Sequence, residues 1–246
     1  MANFPFQRLQ SELSILISGT QAGERLPSEP QLAKKLGVSR ATLREAMRTF
    51  ETQGLIRRRQ GAGTFVVGQV PVLESGLEVL ESLDTIARRL QLAVTVSDVH
   101  VERIYADQEL AEGLKIPLAT RLVDIRRVVR ADGRPVAYLI DTLPEDFLKP
   151  EDVPDDFSGS VLDFLVARGI PLTISRAAIS AIGAAADVAR ILEIQRGDVL
   201  LQFTSQLYVA DGSVVDYTVS NFIPGYFNFH VIRRIGNGQA VSNGPK

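Results

Sequence analysis

Apolar residues in the first 50 positions recur at intervals of three and four, which predicts three short helices. The inward-facing stripes of the three helices are Leu9, Leu13, Leu16 and Ile17, then Leu32, Ala33 and Leu36, then Leu43, Ala46, Met47 and Phe50. Ser28 and Ser39 stand where N-caps are expected for the second and third helices. Gly37 and Gly54 follow the last apolar position of these two helices and end them.

The pattern changes to two short strands after the third helix. Leu55–Arg59 and Thr64–Val67 are the strands, and residues 60–63 (Gln-Gly-Ala-Gly) form the turn between them. Three helices followed by a hairpin with a glycine tip predict a winged helix-turn-helix domain over residues 1–68. The third helix of such a domain can enter the major groove of DNA, which is about 12 Å wide.

The rest of the chain predicts a longer α+β domain over residues 77–235. An apolar stripe from Leu77 to Leu90 predicts its first helix. Alternation with period two then predicts antiparallel strands near residues 94–101, 122–130, 135–143, 174–182, 200–209, 214–222 and 227–235, with short helices near 108–114, 160–168 and 184–192. Asp-Gly pairs at 132–133 and 211–212 predict tight hairpin turns. Residues 69–76 are then a linker, and 236–246 a polar, disordered tail.

Charge divides the chain at the same boundary. The whole chain has a net charge of −2, but residues 1–68 hold 10 Lys and Arg against 5 Asp and Glu, a net +5, and residues 69–246 a net −7. A basic first part favours a nucleic-acid partner for that part alone. The absence of Cys excludes disulfides, Cys-ligated zinc and thiol nucleophiles. No apolar run approaches the ~20 residues of a membrane span, so we expect a cytoplasmic protein.

Residues suited to DNA contact lie at the start of the third helix and at the tip of the hairpin. Arg40 and Arg44 are four residues apart and share a helix face with Thr42 nearby. Arginines at this place can reach guanine edges, while hydroxyls and helix N–H groups can hold phosphates. Glycine at 61 and 63 lets the backbone approach a duplex. Each feature alone also fits a solvated helix face, a cap or a turn; their joint order favours DNA binding.

The segment from Leu26 to Val67, LPSEPQLAKKLGVSRATLREAMRTFETQGLIRRRQGAGTFV, resembles the GntR family of bacterial transcription regulators. The resemblance implies that operator DNA is contacted by Ser39, Arg40, Thr42, Arg44 and the wing residue Gly61. Ser28, as a helix cap, and Gly63, at the wing tip, complete the predicted DNA-binding set. The family usually has Arg or Lys after Pro-Ser-Glu, whereas this chain has Pro30. The operator sequence is therefore expected to differ more than the activity does.

The second domain resembles the UTRA effector domain of the HutC-type branch of that family. The matching segments are RRVVRADGRPVAYLIDTLP, GSVLDFLVARGIPL and DGSVVDYTVSNFIPGYFNFHVIRR. The resemblance implies an antiparallel sheet of the chorismate lyase kind, with a small effector bound in a cleft beside it. Candidate effector-binding residues are Ser82, Arg127, Ser160 and Asp216; Arg127 and Asp216 equally fit charge pairs between neighbouring strands.

Members that bind phosphosugars carry polar residues that this chain lacks. Their Arg-x-Arg corresponds to Arg127 and Val129, and an acidic position corresponds to Leu139. Their Arg-x-Asp-x-Tyr corresponds to Ile223, Gly225 and Phe227. The hypothesis is a small, partly apolar effector with one acidic group at most, rather than a phosphosugar.

The resulting functional hypothesis is a ligand-responsive repressor that binds a pseudo-palindromic operator as a homodimer. No catalytic residue, metal site, cofactor or membrane partner is predicted, and His100 and His230 are interpreted as ordinary strand residues. Two alternatives remain open. One is an enzyme of chorismate lyase-like fold joined to a DNA-binding domain, and the other is a constitutive DNA-binding dimer without an effector.

Overall fold

The computed structural model describes residues 4–21, 23–52, 55–59, 62–67 and 73–231. Gly61 and the predicted tail at 236–246 lie outside the described residues. The first domain contains helices α1 (Phe4–Ser18), α2 (Glu29–Leu36) and α3 (Arg40–Thr52) and strands β1 (Ile56–Arg59) and β2 (Gly63–Val66). The predicted apolar stripes form one core, in which Leu13, Leu32, Leu43, Met47 and Ile56 are fully buried.

Local capping sets the tight turn between α2 and α3. Gly37 adopts a left-handed φ of 65° and ends α2. The Ser39 hydroxyl accepts a hydrogen bond from the Thr42 backbone N–H at 3.1 Å, so α3 begins at Arg40. The helix-turn-helix predicted from the sequence is confirmed.

The wing is a two-stranded antiparallel hairpin supported by the segment that leads into α2. Strands β1 and β2 pair from Ile56↔Val66 to Arg59↔Gly63. The Leu26 N–H donates to the Thr64 carbonyl, and the Val66 N–H donates to the Glu24 carbonyl, both at 2.8 Å. The wing is therefore held on its β2 side by the backbone of residues 24–26.

The second domain is an α+β fold with one six-stranded antiparallel sheet. Its helices are α4 (Leu83–Arg89), α5 (Gln108–Leu114), α6 (Val161–Ala167) and α7 (Ala186–Ile191), with a short 3-10 helix at Pro150–Asp152. The sheet strands are β4 (Val94–Tyr105), β5 (Arg121–Ala131), β6 (Arg134–Pro144), β7 (Leu172–Gly183), β8 (Val199–Val209) and β9 (Val214–Phe222), in the order β4-β5-β6-β9-β8-β7. Strands β4 and β7 are the edges.

The two Asp-Gly turns fix the registers that matter for the site. Asp132 and Gly133 have φ values of 49° and 76°, as a tight hairpin turn between β5 and β6 requires. The β5–β6 hairpin consequently places Arg127 opposite Leu139 and Ile125 opposite Asp141. Alternation along the strands then puts Arg127 and Asp141 on the same face of the sheet.

The connection between the domains differs from the predicted linker and helix. Residues 73–76, predicted as linker, form strand β3 (Leu73–Gly76), which pairs in parallel with β10 (Phe227–His230). The helix predicted from Leu77 begins only at Leu83. The Ser82 hydroxyl accepts from the Thr85 N–H at 3.0 Å and starts α4 there. The apolar residues before it do not pack as a helical stripe, since Val79 is 70% exposed.

Candidate functional site

The predicted DNA-contacting residues of α3 lie on one exposed surface. Arg40, Thr42 and Arg44 are all exposed, on the side of α3 opposite the buried Leu43 and Met47. The hydroxyls of Ser39 and Thr42 are 2.8 Å apart. The surface therefore presents two guanidinium groups and a pair of hydroxyls at a helix N-terminus, which suits base edges and phosphates.

Glu29 orients the second of these arginines. The Arg44 Nε donates to Glu29 Oε2 at 2.6 Å, although the Arg44 side chain stays 58% exposed. Arg58, from the wing, donates to the Arg44 backbone carbonyl at 3.3 Å and lies 3.9 Å from the same glutamate. The helix-turn-helix and the wing thus meet at Glu29.

The other predicted DNA-contacting residues have local structural roles as well. The Ser28 N–H and hydroxyl both donate to the Gln31 side chain, at 3.0 and 2.8 Å, at the start of α2. Gly63 has a φ of +112°, and a Cβ there would lie 2.4 Å from Arg25 Nε. Glycine is therefore required at position 63 by backbone conformation and by the Arg25 side chain alike.

A cleft of about 540 Å³ lies on the face of the sheet that carries Arg127. Three of the four predicted effector residues line it: Ser82, Arg127 and Ser160. Its remaining walls come from the segment 75–83, from α6 and from strands β6 to β9. Its size falls in the range of small-molecule sites.

Arg127 is buried in this cleft and is already paired. Only 4% of the residue is exposed; its Nη2 lies 2.5 Å from Asp141 Oδ2, and its Nη1 donates to the Gly159 carbonyl at 2.5 Å. The guanidinium carbon lies 6.0 Å from the Phe157 ring centre. Its Nε is buried without a hydrogen-bond partner among the described residues.

Asp216, the fourth predicted effector residue, does not line the cleft. It is 3% exposed, and the Thr218 hydroxyl lies 3.1 Å from Asp216 Oδ2 and 3.4 Å from Asp141 Oδ1. Burial raises the pKa of Asp216 well above its usual range, and the nearby Asp141 charge raises it further. The carboxylate that lines the cleft is instead Asp141.

The two serines of the cleft act as helix caps joined through one carboxylate. Ser82 caps α4 and donates to Asp163 Oδ2 at 2.6 Å, while the Ser160 hydroxyl accepts from the Asp163 N–H at 3.3 Å and caps α6. Nearby, burial raises the pKa of Asp84, which Arg127 partly opposes. The first turns of both helices are thus tied together at the cleft.

Sequence reasoning missed Asp141 and an aromatic wall. Phe203, Phe222 and Phe229 line the cleft, and the ring centre of Phe229 is 4.6 Å from Phe203 and 5.1 Å from Phe222. The Asp-Gly turn and strand alternation could have identified Asp141 as a same-face neighbour of Arg127. The aromatic wall carries no such signal, because Phe229 joins it through the parallel pairing of β10 with β3.

Arg48 links the recognition helix to the second domain. Its Nη2 lies 3.2 Å from Asp198 Oδ1, and its Nη1 lies 3.6 Å from Glu45. The Asp198 Oδ2 accepts from the Gln195 N–H at 3.0 Å, which fixes the carboxylate in the loop between α7 and β8. A second cleft, of about 390 Å³, surrounds this ion pair between the domains.

Two kinds of site are absent from the described part of the chain. None of its helices has the length and apolar character needed to cross a bilayer. Within the same residues, no group of three or more His, Cys, Asp or Glu side chains is placed to hold a metal ion.

Comparison with known proteins agrees with this architecture. Residues 7–66 match the model of bacterial regulatory proteins of the gntR family, and residues 89–228 match the UTRA domain. The histidine utilization repressor of Pseudomonas putida is 31% identical over 181 residues, 71% of this chain and 69% of that protein. The HTH-type transcriptional repressor NagR of Bacillus subtilis is 27% identical over 212 residues, 85% of this chain and 86% of that protein.

A solved structure has the same fold. The crystal structure of PhnF from Mycobacterium smegmatis superposes with a TM-score of 0.64 at 22% identity, over 92% of this chain and 99% of that one. Both family models and the relatives are transcription regulators, so the enzyme alternative is not supported. The chain belongs to the GntR family of bacterial transcription regulators, in the HutC-type branch that joins a winged helix-turn-helix to a UTRA domain.

Proposed function

We propose that this chain is a cytoplasmic repressor that binds a pseudo-palindromic operator as a homodimer and releases it when a small molecule occupies the UTRA cleft. The relatives reported above are named repressors, which supports the sign of regulation. Operator contacts are assigned to Ser28, Ser39, Arg40, Thr42, Arg44, Gly61 and Gly63. Effector contacts are assigned to Ser82, Arg127, Ser160 and Asp141, with Asp216 acting through Asp141.

One observation carries the coupling between the two sites. The nine residues 75–83 all line the effector cleft, and they directly follow the stretch that joins it to the DNA-binding domain. Leu77, Val79 and Leu80 in this segment are 41%, 70% and 54% exposed. An apolar effector that covers these side chains would move or fix the segment, and with it the domain that precedes it.

The DNA side is supported by charge and exposure together. The first 68 residues carry a net +5, while Arg40 and Arg44 remain exposed at the start of α3. Neutralising phosphates with such side chains releases counterions, so operator affinity should fall steeply with salt. A single module makes too few contacts for high specificity, so two copies on two half-sites are needed.

The edge strand β7 supports the homodimer. It is exposed along most of its 12 residues, and Arg176 is its only charged side chain. The opposite edge, β4, is protected by a bulge near Ser97 and by several charged residues. An uncharged, open edge is suited to antiparallel pairing with the same strand of a second copy. Since Ser175, Ala177 and Ile179 of β7 also line the cleft, an effector would touch the strand at the dimer contact.

The function is tested by operator binding on the intergenic DNA beside the gene. Fluorescence anisotropy with the purified chain should show binding that the metabolites of the neighbouring pathway weaken. Arg40→Ala should weaken binding, whereas Arg8→Ala, which removes the same charge from exposed α1, should not. If no metabolite changes operator affinity, the protein is a constitutive DNA-binding dimer instead.

The dimer contact is tested separately by light scattering after size exclusion. The double variant Ala178→Glu, Ser180→Glu places two carboxylates on exposed positions of β7, where they would face their own copies across a two-fold axis. It should shift the protein to monomer. Thr95→Glu, on the exposed part of β4, is the matched control. Monomer formation by neither variant would place the dimer contact elsewhere.

A further inference from the structure

The charges that line the UTRA cleft leave no cation for an anionic ligand. Arg127 is the only cationic side chain among the described lining residues, whereas Glu78, Glu81 and Asp141 are carboxylates. Glu81 is bound to Arg89 at 2.8 Å. The Arg127 guanidinium is committed to Asp141 and to the Gly159 carbonyl. An anion that took Arg127 from Asp141 would leave that carboxylate buried without its countercharge.

The acceptor that remains open is on Asp141. Its Oδ2 is taken by Arg127, but the hydrogen-bond donor nearest its Oδ1 is the Thr218 hydroxyl at 3.4 Å. That hydroxyl has one proton, and it lies closer to Asp216, at 3.1 Å. Asp141 is only 5% exposed, so water compensates little. A ligand that donates a hydrogen bond to Asp141 Oδ1 satisfies this buried carboxylate.

The rest of the cleft suits an apolar body. Phe203, Phe222 and Phe229 form one continuous aromatic wall, and Leu139 and Ile179 lie on neighbouring strands of the same face. Rings pack favourably on such walls in edge-to-face or offset arrangements. The cleft thus combines one acceptor-rich buried end with an aromatic side.

We infer that the effector is an uncharged or cationic small molecule, with a hydroxyl or amine that donates to Asp141 and an apolar or aromatic body that packs on the Phe203–Phe222–Phe229 wall. This inference rests on the proposed role of the cleft as the effector site. It replaces the acidic group that the sequence left open, because the one arginine available for it has a buried partner.

The test uses three probes that share a phenyl ring and differ in the charge of the head group. Phenethylamine, 2-phenylethanol and phenylacetate carry charges of +1, 0 and −1, and glucose 6-phosphate serves as a fourth, phosphorylated probe. Calorimetric titration into the full-length protein without DNA should show the amine and the alcohol binding at least about tenfold more tightly than phenylacetate. Glucose 6-phosphate should not bind.

Asp141→Asn makes the test sharper, because it keeps the shape of the side chain and removes its charge. Arg127 then becomes an unneutralised buried cation, and the preference should invert in favour of phenylacetate. Asp155→Asn, which removes an exposed carboxylate away from the cleft, should leave the ranking unchanged. If Asp141→Asn does not fold by circular dichroism, the wild-type ranking alone decides.

The outcomes separate this inference from the function it depends on. Tightest binding of phenylacetate or glucose 6-phosphate to the wild type would overturn the charge preference and leave the cleft as an effector site. Binding of no probe at any charge would overturn both the inference and the assignment of the cleft. Operator binding, measured separately, reports on the DNA-binding role in either case.

Discussion

Two arginine–carboxylate pairs in this protein have nearly the same length and opposite surroundings. Arg44 and Glu29 are 2.6 Å apart with side chains 58% and 18% exposed, whereas Arg127 and Asp141 are 2.5 Å apart with side chains 5% and 7% exposed. The exposed pair contributes little stability and can exchange Glu29 for another anion such as a phosphate. The buried pair cannot exchange partners without leaving a charge uncompensated. Environment, rather than distance, decides which arginine is available to a ligand.

The largest expected difference is in stability. Asp141→Ala leaves Arg127 buried without its countercharge and should lower the free energy of unfolding by about 3–5 kcal/mol. Glu29→Ala breaks the exposed pair and should cost about 1 kcal/mol or less. Urea denaturation of both variants, with secondary structure as the signal, measures the difference. Equal losses would show that burial does not distinguish the two pairs.

The buried cluster should also make stability depend on pH. The folded state raises the pKa of Asp216 above its ordinary value of 3.8, through burial first and Asp141 second. Between the unfolded and folded pKa values the folded protein holds a proton that the unfolded chain has lost. The free energy of unfolding should therefore fall as pH rises through that window.

Two variants isolate this effect. Asp216→Asn should flatten the decline in stability that thermal or urea unfolding measures as pH rises. Asp211→Asn should not, because the pKa of Asp211 is lowered by hydrogen bonds to Ser213 and contributes in the opposite sense. A pH dependence unchanged in Asp216→Asn would assign the effect to Asp84 and Asp124, whose pKa values burial also raises.

The exposed pair should show the reverse pattern, a large effect on binding and a small one on stability. Arg44→Ala should weaken operator binding by about 1–3 kcal/mol if the side chain contacts a base, and should reduce the salt dependence. Its free energy of unfolding should stay within about 1 kcal/mol of the wild type. Anisotropy titrations at several salt concentrations check the first part. An unchanged affinity would remove Arg44 from the recognition surface.

The smallest effect is expected at the half-buried pair between the domains. Arg48 and Asp198 have side chains 27% and 17% exposed, between the two extremes above. A double-mutant cycle with Arg48→Ala and Asp198→Ala should give a coupling energy of about 0.2–1 kcal/mol. The measured quantity is the change in operator affinity that effector produces. A coupling of zero would mean that this contact does not transmit the effector signal.

The sequence predicted the first domain more completely than the cleft, and the reason is the range of the signals. Ser39 caps its own helix, Gly37 ends the preceding one, and Arg40 and Arg44 share a face by helical spacing alone. The hairpin turn at Asp132 likewise fixes the β5–β6 register. By contrast, the Asp141–Thr218–Asp216 cluster joins β6 and β9, and Phe229 reaches the cleft only through a strand pair that ends far along the chain. No local pattern encodes those meetings.

The parallel pairing of β3 with β10 also constrains how the protein is made. Strand β10 is synthesised about 150 residues after β3. At typical elongation rates of about 5–20 residues per second, β3 waits roughly 8–30 s for its partner. The DNA-binding domain precedes β3 and needs no later segment for its own core. A nascent chain therefore completes its DNA-binding domain before the effector cleft has its last wall.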